Sequence, residues 1–282
     1  MTWLTRAPNY LRFTAGDTYH NSDGLGDGII SLFFLIDALY DSKPGDTIVI
    51  DEPELSLHPA FQRKIAALLN EYASDRQIVC ATHSPYFVDL QAIVNGARVA
   101  RLHRKNDSCT ISMLSKEAAC GIQGLLRDRN NPHVLGMKAR ETFFLDDGII
   151  LVEGQEDVVD YPDILRLLDF KKPPGTFFGW GVGGASKMDI VARILSDLGF
   201  EKVAGIVDDD KKHLIPELQQ DFPQYRFFSI PAANVRTKPQ RAAQEAKPGL
   251  LDKKRKIKGD YVQPLRELFV SIETFFNTSE DA

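Results

Sequence analysis

The chain has 282 residues, 43% hydrophobic and 26% charged, enough for one large or two modest cores and unlike a disordered or disulfide-stapled chain. Its greasiest stretch, Ile29 to Leu39, is interrupted by Ser31 and Asp37 and falls short of the roughly 18 residues that span a bilayer. No charged start followed by an apolar signal core opens the sequence, and Cys80, Cys109 and Cys120 are spaced for neither a disulfide framework nor a zinc site, so a cytoplasmic protein with no membrane partner is expected.

Within the net charge of -5 lies a basic segment. Residues 236–258 carry nine Lys and Arg against Glu245 and Asp252, a pattern that serves either as a solvated surface run or as a handle for a polyanion. In chain order, a glycine-rich turn at Gly24 to Gly28 opens a helix over Ile29 to Tyr40, and Lys43-Pro-Gly-Asp46 makes a turn. A strand at Thr47 to Ile50 ends in Asp51-Glu52-Pro53. A helix over Pro59 to Tyr72 follows, then a strand at Gln77 to Ala81 running into Thr82-His83-Ser84-Pro85. Continuously apolar strands between helices predict a parallel sheet covered on both faces.

Residues 98–147 read as a connector with some structure of its own, with a loop at Arg127 to Pro132. From Gly148 the pattern is βαβαβαβ: strand Ile149 to Val152 closed by Glu153-Gly154, a helix to about Leu168, strand Thr176 to Trp180 and a loop at Gly181 to Ser186. Helix Lys187 to Leu198, strand Val203 to Val207 ending in Asp208-Asp209-Asp210, another helix and strand Tyr225 to Ser229 complete it. Ligands on such a sheet gather at the carboxyl ends of the strands, where Glu153 and the three aspartates fall.

Two constellations carry chemistry. Asp51 and Glu52 at a strand's carboxyl end suit magnesium binding and water polarisation in a nucleoside triphosphatase, although such a pair also serves as a simple cap. With Leu25-Gly-Asp-Gly-Ile29 upstream, Ser56-Leu-His58 downstream and His83 after the next strand, the set resembles the signature motif, Walker B, D-loop and switch histidine of ABC-type ATPase heads. That resemblance assigns Asp51, Gly26 and Gly28 to nucleotide and metal, and Glu52 and His83 to hydrolysis. The signature departs from the usual Leu-Ser-Gly-Gly-Gln, with Gly26 in place of Ser and Asp27 in place of Gly. No Gly-Lys dipeptide occurs anywhere, so the phosphate-cradling loop is absent and ATP is expected only if the missing P-loop half is supplied.

The second constellation is acidic. Extended residues alternate sides, so Asp208 and Asp210 point together and Asp209 points away. With Glu153 they form a pocket of three carboxylates that selects a hard cation, Mg²⁺ or Mn²⁺. Asp157 either holds a second ion or is an ordinary acid at a helix start. Gly179-Trp-Gly-Val-Gly-Gly184 also fits a dinucleotide fingerprint, but three consecutive aspartates exceed the one acid a ribose needs. Lys187 beyond it either touches phosphate or is an exposed helix-start lysine.

Leu151-Val-Glu-Gly154, Asp157 and Ile206-Val-Asp-Asp-Asp210 resemble the Toprim domain. An ABC-type head followed by Toprim resembles the OLD (overcoming lysogenisation defect) family, over residues 25–97 and 148–235. The expected class is therefore α/β: a partial ABC-type ATPase domain at 1–97, connector 98–147, Toprim domain 148–235, and a basic helical segment 236–282. The resemblance implies an ATP-linked, metal-dependent DNA endonuclease that pairs through its ATPase half, as a homodimer or with a second ATPase chain, and often serves phage defence. Glu153, Asp208 and Asp210 would be catalytic metal ligands, Asp157 and Asp51 further metal ligands, and Lys258 the candidate for the family's late catalytic lysine. The acidic residue usual after the fourth strand is not evident in Pro231-Ala-Ala-Asn-Val235. The rival expectation is a non-catalytic regulator that docks on another ATPase.

Overall fold

The computed structural model describes residues 2–7, 10–15, 18–21, 26–105, 108–127, 137–144, 147–237, 247–252 and 254–278. Gly24, Leu25 and most of the predicted loop at Arg127 to Pro132 lie outside them. The chain divides into two compact units, Met1–Asp89 and Leu90–Ala282. Among the described residues no helix is long and apolar enough to cross a membrane.

The first unit opens with an antiparallel sheet that the sequence reading did not anticipate: β1 (Thr2–Ala7), β2 (Tyr10–Ala15) and β3 (Thr18–Asn21). Then follow α1 (Asp27–Asp41), β4 (Thr47–Asp51), α2 (Pro59–Tyr72) and β5 (Gln77–Ala81). Helix α2 starts where its chemistry says it should: Pro59 occupies the first turn, and His58 Nδ1 accepts the Ala60 N–H at 3.2 Å. Strands β4 and β5 pair in parallel, from Thr47 opposite Gln77 to Asp51 opposite Ala81. Among the described residues the expected cover on both faces is not found. Leu39 of α1 and Ile65 and Leu69 of α2 pack with Ile48, Ile50, Ile78 and Cys80 on one face, whereas Val49 and Val79 on the other are 74% and 47% exposed. Both helices lie on the same side, so alternate residues of each strand face outward.

The second unit begins with α3 (Leu90–Val94), the hairpin β6 (Ala100–Lys105) and β7 (Ser108–Met113), α4 (Lys116–Arg127) and α5 (Met137–Thr142). Next come β8 (Ile149–Val152), α6 (Gln155–Leu167), β9 (Thr176–Phe177), α7 (Met188–Asp197), β10 (Val203–Val207), α8 (Ile215–Asp221) and β11 (Arg226–Ser229). These four strands form one parallel sheet in the order β11-β10-β8-β9. The chain ends in β12 (Asn234–Arg236), β13 (Gly249–Leu251) and α9 (Gly259–Asn277), with β12 and β13 paired in parallel.

Strands β8 and β10 are buried at every residue. Side chains from α6 and α9 (Val158, Tyr161, Ile164, Leu265, Phe269) pack on Ile150, Val152, Ala204 and Ile206. On the opposite face, a methyl group at Gly205 would meet Met188 and Phe227. Strand β9 is shorter than the predicted Thr176 to Trp180, because Gly179 turns to φ +50 two residues after it ends. The described part of the segment read as a connector with some structure of its own packs on the parallel sheet's helices and loops: Arg101 of β6 lies 3.9 Å over the Phe200 ring and donates to the Leu198 and Gly199 carbonyls, and Asp197 accepts the Ser115 N–H ahead of α4.

Candidate functional site

In the first unit, the pairing of Asp51 with Ala81 sets the Asp51-Glu52 strand end beside the turn that carries His83. Glu52 adopts φ +48 and donates its N–H to the Ala81 carbonyl at 2.8 Å. Glu54, which sequence reasoning missed, closes the turn: its carboxylate accepts the Thr82 hydroxyl and the His83 N–H, both at 2.6 Å. The signal was present as a third carboxylate two residues beyond the acid pair. Gly26 stands at the N-terminus of α1. Gly28 lies so close to the Ser56 carbonyl that a Cβ would be 2.2 Å from its oxygen. The signature-like turn and Ser56-Leu57-His58 therefore meet, around a cavity of about 220 Å³ floored by Leu32 and Phe61.

In the second unit the acids converge by a different geometry from the one expected. Strand β10 ends at Val207, Asp208 alone continues extended, and Asp209 to Leu214 wind into a 3₁₀ helix, so strand alternation does not decide where the three aspartates point. Hydrogen bonds decide it. Glu153 Oε1 accepts the Asp208 N–H at 2.8 Å, and Asp208 Oδ2, on a side chain only 9% exposed as a residue, accepts Asn234 Nδ2 at 3.0 Å. Asp209 pairs with Lys212 at 3.0 Å. Asp210 is bonded by the Lys247 ammonium, with Lys211 at 3.9 Å. Asp157 Oδ2 accepts the Gly154 N–H at 2.9 Å and so caps α6.

The glycine loop straps this corner down. The Gly183 and Gly184 N–H groups donate to the Glu153 carbonyl at 2.9 and 2.8 Å, and Gly181, at φ +85, touches Gly154 so closely that a Cβ would stand 2.7 Å from its backbone. Only glycine meets both demands. Lys187 stands at the start of α7. The field of the acids reaches the core: burial first, then Asp157, Asp208, Glu153 and Asp160, holds the Tyr161 phenol well above its ordinary pKa.

Lys258, the expected catalytic lysine, is bonded to the backbone of β13. Its ammonium donates to the Gly249 carbonyl at 2.7 Å, fixing β13 from the side. Lys247 is bonded to Asp210, and its pKa is raised by that hydrogen bond and by the charges of Asp210, Asp208 and Glu153. Four of the nine basic residues of this segment, Arg236, Lys247, Arg255 and Lys258, have internal partners. Arg236 grips the buried Asp160 through two nitrogens, and Arg255 Nη2 donates to the same carboxylate at 2.6 Å. Lys254 and Lys256 are exposed, while Lys238, Arg241 and Lys253 lie outside the described residues.

Among the described residues no three His, Cys, Asp or Glu side chains stand close enough to hold a metal ion as placed. The donors nevertheless suit one in kind: Glu153, Asp208 and Asp210 offer only hard carboxylate oxygens, and one of them, Asp210, is already paired with a cation, the Lys247 ammonium.

Residues 15–89 match the family described as "AAA domain, putative AbiEii toxin, Type IV TA system". The chain is similar to an OLD nuclease of Thermus scotoductus, 29% identical over 71% of this chain and 38% of that one. It is also similar to endonuclease GajA of Bacillus cereus, 25% identical over 72% of this chain and 33% of that one. The chain therefore spans between a third and two fifths of the length of these curated relatives. A solved SMC ATPase structure covers 43% of this chain at 19% identity with a TM-score of 0.32, too slight a likeness to bear on the fold. The resemblance to the OLD family carried by the motifs thus extends to curated relatives over some seven tenths of the chain.

Proposed function

We propose that the chain is an OLD-like DNA endonuclease in which the second unit is a Toprim-type, Mg²⁺- or Mn²⁺-dependent phosphodiesterase and the first is one half of an ATPase head. The observation that carries this reading is the placing of Glu153 and Asp208 at the carboxyl ends of β8 and β10, tied by the bond from the Asp208 N–H to the Glu153 carboxylate, with Asp210 two residues further on. These three would hold the metal, which supplies a water of lowered pKa and charge neutralisation at the leaving oxygen. The chain's own residues do the positioning. Asn234 orients Asp208, the Gly183 and Gly184 amides hold the Glu153 backbone, and Lys247, bonded to Asp210, joins Lys258 as a lysine that would meet a scissile phosphate. DNA as substrate is supported by the nuclease-named relatives, and a role in phage defence rests on the OLD-family resemblance of the motifs alone.

In the first unit, Asp51, Glu52 and His83 would act on a γ-phosphate only when a P-loop half is supplied, by a second copy or by another ATPase chain. The open face of Val49 and Val79 favours a second reading, in which this unit docks on such a partner and the chain regulates it. Plasmid nicking separates the two readings. The purified chain should convert supercoiled plasmid to nicked circles with Mn²⁺, lose this activity in EDTA and lose it in Asp208→Asn. Intact protein that binds its partner but never nicks would leave only the regulatory reading.

A further inference from the structure

The glycine strap beside Glu153 does more than tie two segments together: it lifts a tryptophan out. Beyond β9 the chain keeps bonding to β8, the Phe178 N–H donating to the Ile150 carbonyl and the Val182 N–H to the Val152 carbonyl, both at 2.9 Å. Ile150 and Val152 are two residues apart, whereas Phe178 and Val182 are four apart, so this edge carries two residues too many. A tight turn takes them up. The Gly181 N–H donates to the Phe178 carbonyl at 3.0 Å, and Trp180 stands at the outer corner. A bulge of this kind re-aims a side chain and is a built feature rather than a defect.

The neighbours are shaped for that outcome. Gly179 turns at φ +50 and lies on α5, where a Cβ would be 2.9 Å from the Ala139 methyl group, and Gly181 at φ +85 lies on Gly154. Both sides of the turn are therefore pinned by contacts that only glycine allows. Every residue from Phe177 to Val182 is buried except Trp180, which is 39% exposed. Leaving part of an indole in water forgoes apolar burial that a core next to it could have supplied. The ring also stands beside the acids: Gly181 touches Gly154, Glu153 comes just before Gly154, and the Glu153 carboxylate accepts the Asp208 N–H.

We propose that Trp180 is a stacking platform for a nucleic-acid base, so that the site takes a strand with an unpaired nucleotide beside the acids in preference to an intact duplex. This rests on the nuclease reading above and adds to it the form of the substrate. An indole stacks on the face of any base, whatever the sequence, and a duplex keeps those faces inside its own stack. A strand whose phosphate is brought to the carboxyl ends of β8 and β10 carries its base alongside this ring. An apolar protein surface laid there would also have to strip water from the charges of Glu153 and Asp208, a cost that a stacked base with open edges avoids. The ring holds the nucleotide and leaves the chemistry to the acids.

The test reads the ring itself. Trp3 and Trp180 are the only tryptophans, so in the full chain carrying Trp3→Phe the indole emission reports Trp180 alone. This protein is titrated with an oligothymidylate and with a duplex of the same length, in EDTA and again in Ca²⁺, while affinities are read from the anisotropy of labelled DNA. The oligothymidylate should quench the emission as it saturates, and the duplex should leave it nearly unchanged. Trp180→Leu should weaken oligothymidylate binding about tenfold, and Trp180→Tyr should restore most of the loss, with duplex affinity unmoved in both. The quench needs no substitution at position 180, so it decides even where Trp180→Leu lowers the melting temperature. Oligothymidylate that binds without quenching, and binds Trp180→Leu as well as wild type, would overturn the stacking and leave the nuclease reading standing. Binding of neither DNA form, together with no nicking of plasmid, would overturn both.

Discussion

Strands β4 and β8 are written in nearly the same letters, Thr-Ile-Val-Ile-Asp and Ile-Ile-Leu-Val-Glu, yet β4 alternates between exposed and half-buried residues while β8 is buried throughout. The difference is set by what surrounds them. Strand β8 lies inside a four-stranded sheet with α6 and α9 on one face and α7 on the other, whereas α1 and α2 both cover the same face of a two-stranded sheet. A run of apolar residues therefore states that a strand can be buried on both faces, not that it is. Where the second face stays open in an isolated chain, the residues on it are candidates for a partner.

The comparison is sharpened first at the strands themselves. Ile150→Ala removes a fully buried side chain and should destabilise the chain by about 2–5 kcal/mol in urea unfolding. If it behaves like an exposed site, the second unit does not have the core drawn here. Next in size is Asp160→Ala, which leaves Arg236 and Arg255 without their buried carboxylate. A loss of about 2–3 kcal/mol is expected, below the usual cost of breaking a buried pair because both arginines keep water.

In the first unit, Gly28→Ala should cost about 1–3 kcal/mol, because the new methyl meets the Ser56 carbonyl, while Gly26→Ala, with open space around it, should be close to neutral. Equal effects of the two would show that the signature-like turn does not pack on Ser56-Leu57-His58. The smallest effect is the most telling for the open face: Val49→Thr should change stability by less than about 0.5 kcal/mol. A large loss there would mean that the face is covered after all.

Much of this was legible in the sequence. The bounds of α2, β5, β8 and β10 follow from apolar runs with plain stops, such as His58-Pro59 before α2 and the acids after β8 and β10. Hairpin β6–β7 was not legible because its pattern is inverted: Arg101 and His103 face inward while Leu102 and Ile111 are 66% and 63% exposed. The aspartate geometry was misjudged because strand alternation was carried past Val207, where the chain turns into a 3₁₀ helix. Lys247 could not be singled out by local pattern at all. Its place depends on β12 and β13 pairing across an intervening segment, and among nine basic residues the sequence does not mark which one reaches Asp210.

The central claim is that the acids of the second unit, and not those of the first, make the cleaving centre. The most direct measurement is Mn²⁺-dependent nicking of supercoiled plasmid by wild type, Asp208→Asn, Asp209→Asn and Glu52→Gln, each checked for folding by its melting curve. Asp208→Asn should abolish nicking without lowering the melting temperature of the metal-free protein, since it also relieves carboxylate repulsion. Asp209→Asn, whose carboxylate pairs with Lys212, and Glu52→Gln should leave most of the activity in place. Equal loss from Asp209→Asn and Asp208→Asn, or nicking that survives EDTA, would contradict the account.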